Sequence, residues 1–425
     1  MSEPLDGITV VEMTIAVQGP AAGLYFRDMG AEVIKVEPPL GDPSRYGRGR
    51  DNDTPEGTVG PQFVAVNRGK RSVCIDLTTP LGMQALHGLL GEADVFLTNY
   101  REAALQKMGL GYDELHGLYP GLIYASVNGF GPRGADAGKA MLDGAAVARG
   151  GLVNMTGSPE SPPAVPGAIV ADTAGAMQLA LATMTALFAR ERQASGGQRV
   201  QTSALGTQLW LQQWELTHVA MTGADFQRGG SHHSIIKGPY GVYRTRDNGA
   251  ILLAQTMELD NWDAFCVFAD IPQLAWDPRL QTPGQRLGEG LSDADSEEIR
   301  ATLAEAFAQK SAQEWDAFLR TQPEIIWERV RNWQEVLEDE QNIANEYITE
   351  VNVPGLGRCK TVGNLVHLSE TPGSVKGDAP ELGEANAVLL QETGLSKDQI
   401  QEVTDTAERV RTEAFALLAG VTTES

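Results

Sequence analysis

Hydrophobic and polar positions alternate between two periods along the first 200 residues. Apolar runs suited to strands occur at 8–13, 30–37, 72–77, 94–99, 122–127 and 199–202. Between them lie stretches with helical spacing at 20–29 and 82–92, and a long apolar helix is expected at 172–192. Strand, helix and strand in succession make a βαβ unit, which implies a parallel sheet. Ser195-Gly196-Gly197 stops the long helix. The ligands of an open α/β sheet gather at the carboxyl ends of its strands.

The pattern changes after residue 205. Residues 206–227 read as a connecting helix, and Gly229-Gly230 breaks the chain. Residues 240–245 and 250–254 read as a hairpin turning at Asp247-Asn248-Gly249. Helical, acidic sequence follows to about 325, and 326–345 reads as a second polar helix. Strand-like segments return at 349–353 and 359–362, and a final helix is expected from 397 to about 418. The stretch from the hairpin to about 325 reads as a second, smaller domain.

Composition narrows the function classes. At 425 residues, with 42% hydrophobic and 21% charged positions, the chain suits about two globular domains. No run of apolar residues is long enough to span a membrane. The opening Met1-Ser2-Glu3-Pro4-Leu5-Asp6 has no basic region followed by an apolar stretch, so the expected compartment is the cytoplasm. The net charge of −23 opposes nucleic acid and anionic membranes as partners. It also makes any phosphate site a local basic exception. Three scattered cysteines (Cys74, Cys266, Cys359) and six histidines form no CxxC or HExxH pattern, so no metal is expected. Val17-Gln18-Gly19-Pro20 contains no GxGxxG, which argues against a dinucleotide-dependent dehydrogenase.

An ordered set of motifs resembles the class III CoA-transferases of the formyl-CoA transferase and carnitine CoA-transferase type. They are Pro4-Leu5-Asp6-Gly7-Ile8, Gly19-Pro20, Gly30-Ala31-Glu32-Val33-Ile34-Lys35-Val36-Glu37, Asn67-Arg68-Gly69-Lys70-Arg71-Ser72, Asn99-Tyr100-Arg101-Glu102, Gly129-Phe130-Gly131-Pro132 and Gly196-Gly197-Gln198-Arg199-Val200. The resemblance implies an α/β fold: a Rossmann-like large domain over 1–205 and 346–425, linker helices at 206–227 and 326–345, and a smaller α+β domain over 228–325, in an interlocked-ring dimer. It implies coenzyme A as co-substrate without a metal. The implied partners are an acyl-CoA, a carboxylic acid and a second chain, either identical or a homologous subunit of a heteromer.

The resemblance makes Asp172 the covalent nucleophile; from spacing alone, an aspartate ahead of an apolar helix also reads as an ordinary N-cap. The chemistry is attack on a thioester to give a mixed anhydride, then an aspartyl-CoA thioester. Backbone N–H groups at the helix start are the expected oxyanion donors. Lys70, Arg71, Arg101 and Lys107 are the implied CoA-binding set. Gln18, Ala140, Leu142, Gly229 and Gly230 are the implied substrate pocket. Ala140 and Leu142 stand where formyl-CoA transferases have Lys and Tyr, so the expected acid is larger or more apolar than oxalate. An α-methylacyl-CoA racemase shares the implied fold but places a His before the acid at Leu142-Asp143, and no His lies between His116 and His218.

Overall fold

The computed structural model describes residues 2–256 and 259–421. The chain divides into two compact units, one of Met1–Gly150, Ala168–Leu211 and Leu337–Ser425, the other of Gly151–Gly167 and Gln212–Val336.

The first unit is built on six strands: β1 (Thr9–Met13), β2 (Glu32–Glu37), β3 (Arg71–Cys74), β4 (Val95–Thr98), β5 (Ile123–Asn128) and β6 (Arg199–Ser203). All neighbours are parallel, in the order β3-β2-β1-β4-β5-β6. The period of two divides each strand between two cores. Val10, Val33, Val95 and Leu97 join Ala22, Phe26, Leu179 and Ala180 on one face. Val11, Ile34, Val73 and Phe96 join Leu86, Leu89, Leu389 and Val403 on the other. The second group includes residues from the chain's end, so the sheet is covered on both faces, as a parallel sheet requires. A hairpin of β10 (Ile348–Val353) and β11 (Gly357–Val362) also belongs to this unit. The strand order reverses between β1 and β4, which opens a crevice outside their carboxyl ends.

The second unit holds an antiparallel sheet of β7 (Gly241–Arg244), β8 (Ala250–Thr256) and β9 (Ile325–Arg329). Its core is aromatic, with Trp262, Phe265, Phe307 and Trp315 fully buried. The hairpin turns with Asn248 at φ 61°, the left-handed conformation such turns need.

Three expectations are corrected here. Residues 326–345 are not one helix: Ile325–Arg329 is a strand, followed by short helices Trp333–Glu338 and Glu340–Ala344. Ile325, Ile326, Trp327 supply the apolar β-formers that decide this. The connecting stretch 206–227 breaks at Gln212 into Ala204–Leu211 and Gln213–Thr222, which fall in different units. Residues 151–167, expected in the large domain, group with the second unit.

Candidate active site

Asp172 lies in the first turn of the helix Val170–Gln193, not at its cap. The N-cap position is Ile169, whose side chain cannot accept a hydrogen bond. The missing acceptor comes from Asp143, first residue of the helix Asp143–Arg149. Asp143 Oδ1 accepts the N–H of Ala171 at 2.7 Å and of Asp172 at 3.1 Å. This leaves the Asp172 carboxylate without a hydrogen bond to any described residue. Burial, and then the negative charge of Asp143, push it up to about 6. A half-buried carboxylate with unspent lone pairs costs stability and is a candidate for chemistry.

The first-turn donors expected to hold an oxyanion are already committed. Those of Ala171 and Asp172 go to Asp143, that of Val170 to Ala168 O, and that of Thr173 to Ile169 O. A free donor sits nearby instead. Gln18, at the start of the first helix (Gln18–Asp28), is only 5% exposed, and its Nε2 has no partner among the described residues. It packs on Gly175, one turn from Asp172 on the same helical face. A Cβ at 175 would stand 2.2 Å from Gln18 Nε2, so glycine makes room for the amide.

The segment leading into Gln18 is held from several sides. Asn99, just after β4, grips Ile15 twice: Oδ1 accepts its N–H at 3.0 Å and Nδ2 donates to its carbonyl at 2.8 Å. Lys35 Nζ donates to Thr14 O at 3.0 Å, and Asp42 Oδ1 accepts the Ala16 N–H at 3.3 Å. Ala16 has φ 64°, a strained conformation for a residue with a Cβ. Beneath it, Lys35 pairs with Glu12 and Asp42, all fully buried. Sequence reasoning missed this clamp. Its signal was the charged Glu12 and Lys35 inside apolar strands.

Beside the clamp is a cleft of about 310 Å³ between Ile15, Pro38, Pro39, Leu40, Pro43 and Tyr100. A neighbouring cavity of about 210 Å³ shares Pro38, Pro39 and Tyr100 and reaches Asp76, Thr78 and Met108. Both lie at the carboxyl ends of the strands.

The expected basic set does not stay together. Lys70 is fully buried, and its ammonium donates to Glu12 Oε2, Pro20 O and Asn67 Oδ1 at 2.7, 2.7 and 3.0 Å. Its three N–H bonds are therefore used inside the protein, and none is left for a phosphate. Arg71 opens β3 at the amino edge of the sheet and pairs with Glu32 at 2.5 Å. That is the edge opposite the crevice. Arg101 and Lys107 fit better. Arg101 caps and Lys107 ends the helix Glu102–Lys107 directly after β4, and neither side chain has a hydrogen bond or ion pair to a described residue. Ala140 and Leu142 are exposed, Leu142 by 83%, immediately before Asp143. Gly229 and Gly230 belong to the second unit, where they turn the chain: His232 N–H donates to Gly229 O, and Gly230 has φ 66°. Among the described residues no cluster of His, Cys, Asp and Glu could hold a metal.

Comparison with known proteins identifies the family. Residues 5–386 match the model of CoA-transferase family III. The succinyl-CoA–D-citramalate CoA-transferase of Chloroflexus aurantiacus is 32% identical over 403 residues, covering 93% of this chain and 96% of its own. The succinyl-CoA:mesaconate CoA-transferase of Haloarcula hispanica is 31% identical, with 92% and 96% covered. A crystal structure of a CAIB/BAIF family protein from Brucella suis superposes with a TM-score of 0.80 at 27% identity, covering 92% of this chain and all of that one. The chain is an enzyme and belongs to CoA-transferase family III.

Proposed function

We propose that this enzyme moves CoA from an acyl-CoA thioester to a carboxylic acid, with Asp172 as the covalent nucleophile. The observation that carries the reading is the Asp172 carboxylate itself, half-buried, free of hydrogen bonds and held by a backbone that Asp143 caps.

The Asp172 carboxylate attacks the thioester carbonyl, giving a mixed anhydride and CoA thiolate. The thiolate attacks the aspartyl carbonyl, forming the aspartyl-CoA thioester and releasing the donor acid as its carboxylate. The acceptor carboxylate then attacks that thioester, restoring an anhydride and expelling thiolate. Thiolate attack on the acceptor's acyl carbonyl yields the new acyl-CoA and free Asp172. Each exchange is between carbonyl carbons, so no oxidant is consumed and no metal is required. The Gln18 amide, buried and unpartnered, is the donor suited to the oxyanions of these steps.

The crevice at the β1–β4 reversal supports a Rossmann-like reading in which the nucleotide of CoA lies by Tyr100 and Pro38. Arg101 and Lys107 are the cations for its phosphates. Ala140, Met141 and Leu142 give the acid side an apolar edge, which favours an acid larger than oxalate, such as a branched dicarboxylate or a hydroxy acid. The named substrates of the relatives, citramalate and mesaconate, are of that kind. The working form we infer is a cytoplasmic interlocked dimer, with Gly229 and Gly230 turning the chain within the second unit. The test is mass spectrometry of exchange between a panel of acyl-CoA donors and carboxylic acids. Absence of CoA exchange with every pair would overturn the reading.

A further inference from the structure

The last helix, Lys397–Val421, reaches the nucleotide cleft. Ile400, Val403 and Ala407 are its buried stripe. Thr404 lies on the same face and accepts from Asn386 Nδ2 at 3.3 Å. Asn386 in turn holds both backbone groups of Cys74, the last residue of β3. One turn beyond Ala407, Val410 lines the 310 Å³ cleft. Further on, Phe415 meets the ring of Tyr46 edge to face at 5.7 Å, and Tyr46 donates its hydroxyl proton to Leu40 O in the cleft wall. The helix thus forms one side of the cleft.

Arg411 continues that inward stripe, four residues after Ala407 and seven after Thr404. Its side chain is 28% exposed, yet its nearest described anionic partner is Glu408 at 3.9 Å, beyond hydrogen-bond reach. Its charge is felt at the cleft. Burial pushes the Cys74 thiol up to about 12, and Arg411 is the strongest influence opposing that rise. The same charge acts on the Tyr46 phenol. Cys74 Sγ itself donates to Pro38 O at 3.6 Å. An inward guanidinium with no hydrogen-bond acceptor, in a chain of net charge −23, is matched by an anion that arrives with the ligand.

Position along the sheet selects which anion. The Asp172 helix packs on β5 and β6, whereas Arg411 lies beyond β2 and β3. Three strand spacings separate β2 from β5, roughly 14 Å. A CoA whose thioester reaches Asp172 therefore turns its adenosine end toward Arg411. We propose that Arg411 binds the 3′-phosphate of CoA and that the C-terminal helix closes the nucleotide end of the site. The proposal rests on the CoA-transferase reading and adds a specificity contact to it.

Equilibrium binding of CoA and of 3′-dephospho-CoA to the full-length protein, wild type, Arg411→Gln and Arg411→Lys, tests it. Arg411→Gln should weaken CoA about ten- to a hundredfold, the usual worth of a charged hydrogen bond, and leave 3′-dephospho-CoA unchanged. Arg411→Lys should recover part of the loss. Equal weakening of both ligands, or of neither, would overturn the assignment. If the wild type bound neither ligand, the CoA-transferase reading itself would fall. If it bound both but without preference, only the 3′-phosphate contact would.

Discussion

Asp143 caps the helix that carries Asp172, accepting the Asp172 N–H at 3.1 Å across 29 residues of sequence. One carboxylate fixes the backbone of the other and also repels its charge. As the proposed nucleophile, Asp172 would react only when ionised, and its carboxyl is raised to about 6 by burial and by Asp143. The rate of CoA exchange should therefore climb from pH 5 to pH 7 with a midpoint near 6. In Asp143→Asn the amide oxygen can still accept from the backbone, but the charge is gone. The midpoint should move to lower pH while the fold persists, as followed by a pH–rate profile alongside circular dichroism. A midpoint that stays in place would mean that Asp143 does not act electrostatically on the nucleophile.

Replacing the proposed nucleophile separates chemistry from stability. Asp172→Asn should lose essentially all exchange, and hydroxylamine trapping during turnover should mark Asp172 in the wild type alone. The stability effect has the opposite sign. A carboxyl with a raised folded pKa binds more protons folded than unfolded between about pH 4 and pH 6. The wild type therefore loses stability as pH rises through that window and carries the full penalty above it. Asp172→Asn removes the penalty, so its melting temperature should exceed that of the wild type at pH 7, with the difference fading below pH 4. Calorimetry at the two pH values checks this, and a variant less stable than the wild type at pH 7 would contradict it.

Gly175 tests the Gln18 amide without touching either reacting group. Alanine in mid-helix is ordinarily favourable by about 1 kcal/mol relative to glycine. Here its Cβ would meet Gln18 Nε2 at 2.2 Å, and the amide is the movable partner. Gly175→Ala should leave thermal stability within about 1 kcal/mol of the wild type and lower kcat with little change in KM for acyl-CoA. A fall in KM affinity at constant kcat would instead place Gln18 in ground-state binding.

How far the sequence carries depends on the kind of information each feature needs. The strands of the large unit were legible because their apolar runs end in polar and glycine residues, and each of β1 to β6 overlaps one of those runs to within a few residues. The return of 349–362 as strands was legible for the same reason. Asp172 was singled out through motif resemblance, but its place in the helix was misjudged. The helix begins at Val170 because the cap is supplied by Asp143, an acceptor that no local pattern reveals. Lys70 and Arg71 read as one basic pair. Alternation at the start of a strand sends Lys70 inward onto Glu12 and Arg71 outward onto Glu32, and neither outcome is written in the composition. The free donor at Gln18 and the position of Arg411 are relations between distant segments, so only the folded chain displays them.

The Asp172 helix also carries the sharpest sign of self-association. Met177, Leu181 and Phe188 recur at helical spacing on its outer side and are 71%, 69% and 67% exposed. On the following helix Trp210 is 65% exposed. Scattered apolar surface is ordinary, but a repeated stripe of large side chains is the surface expected to be covered in the proposed dimer. A second copy of the chain is the occupant expected for an interlocked dimer. Leu181→Arg places a charge in the middle of that stripe without disturbing the buried side, where Leu179 and Ala180 pack under the sheet. The variant should fold poorly as a dimer and appear as monomer or aggregate in sedimentation velocity, while the wild type stays dimeric on dilution. A Leu181→Arg protein that remained a stable dimer would move the interface away from this helix.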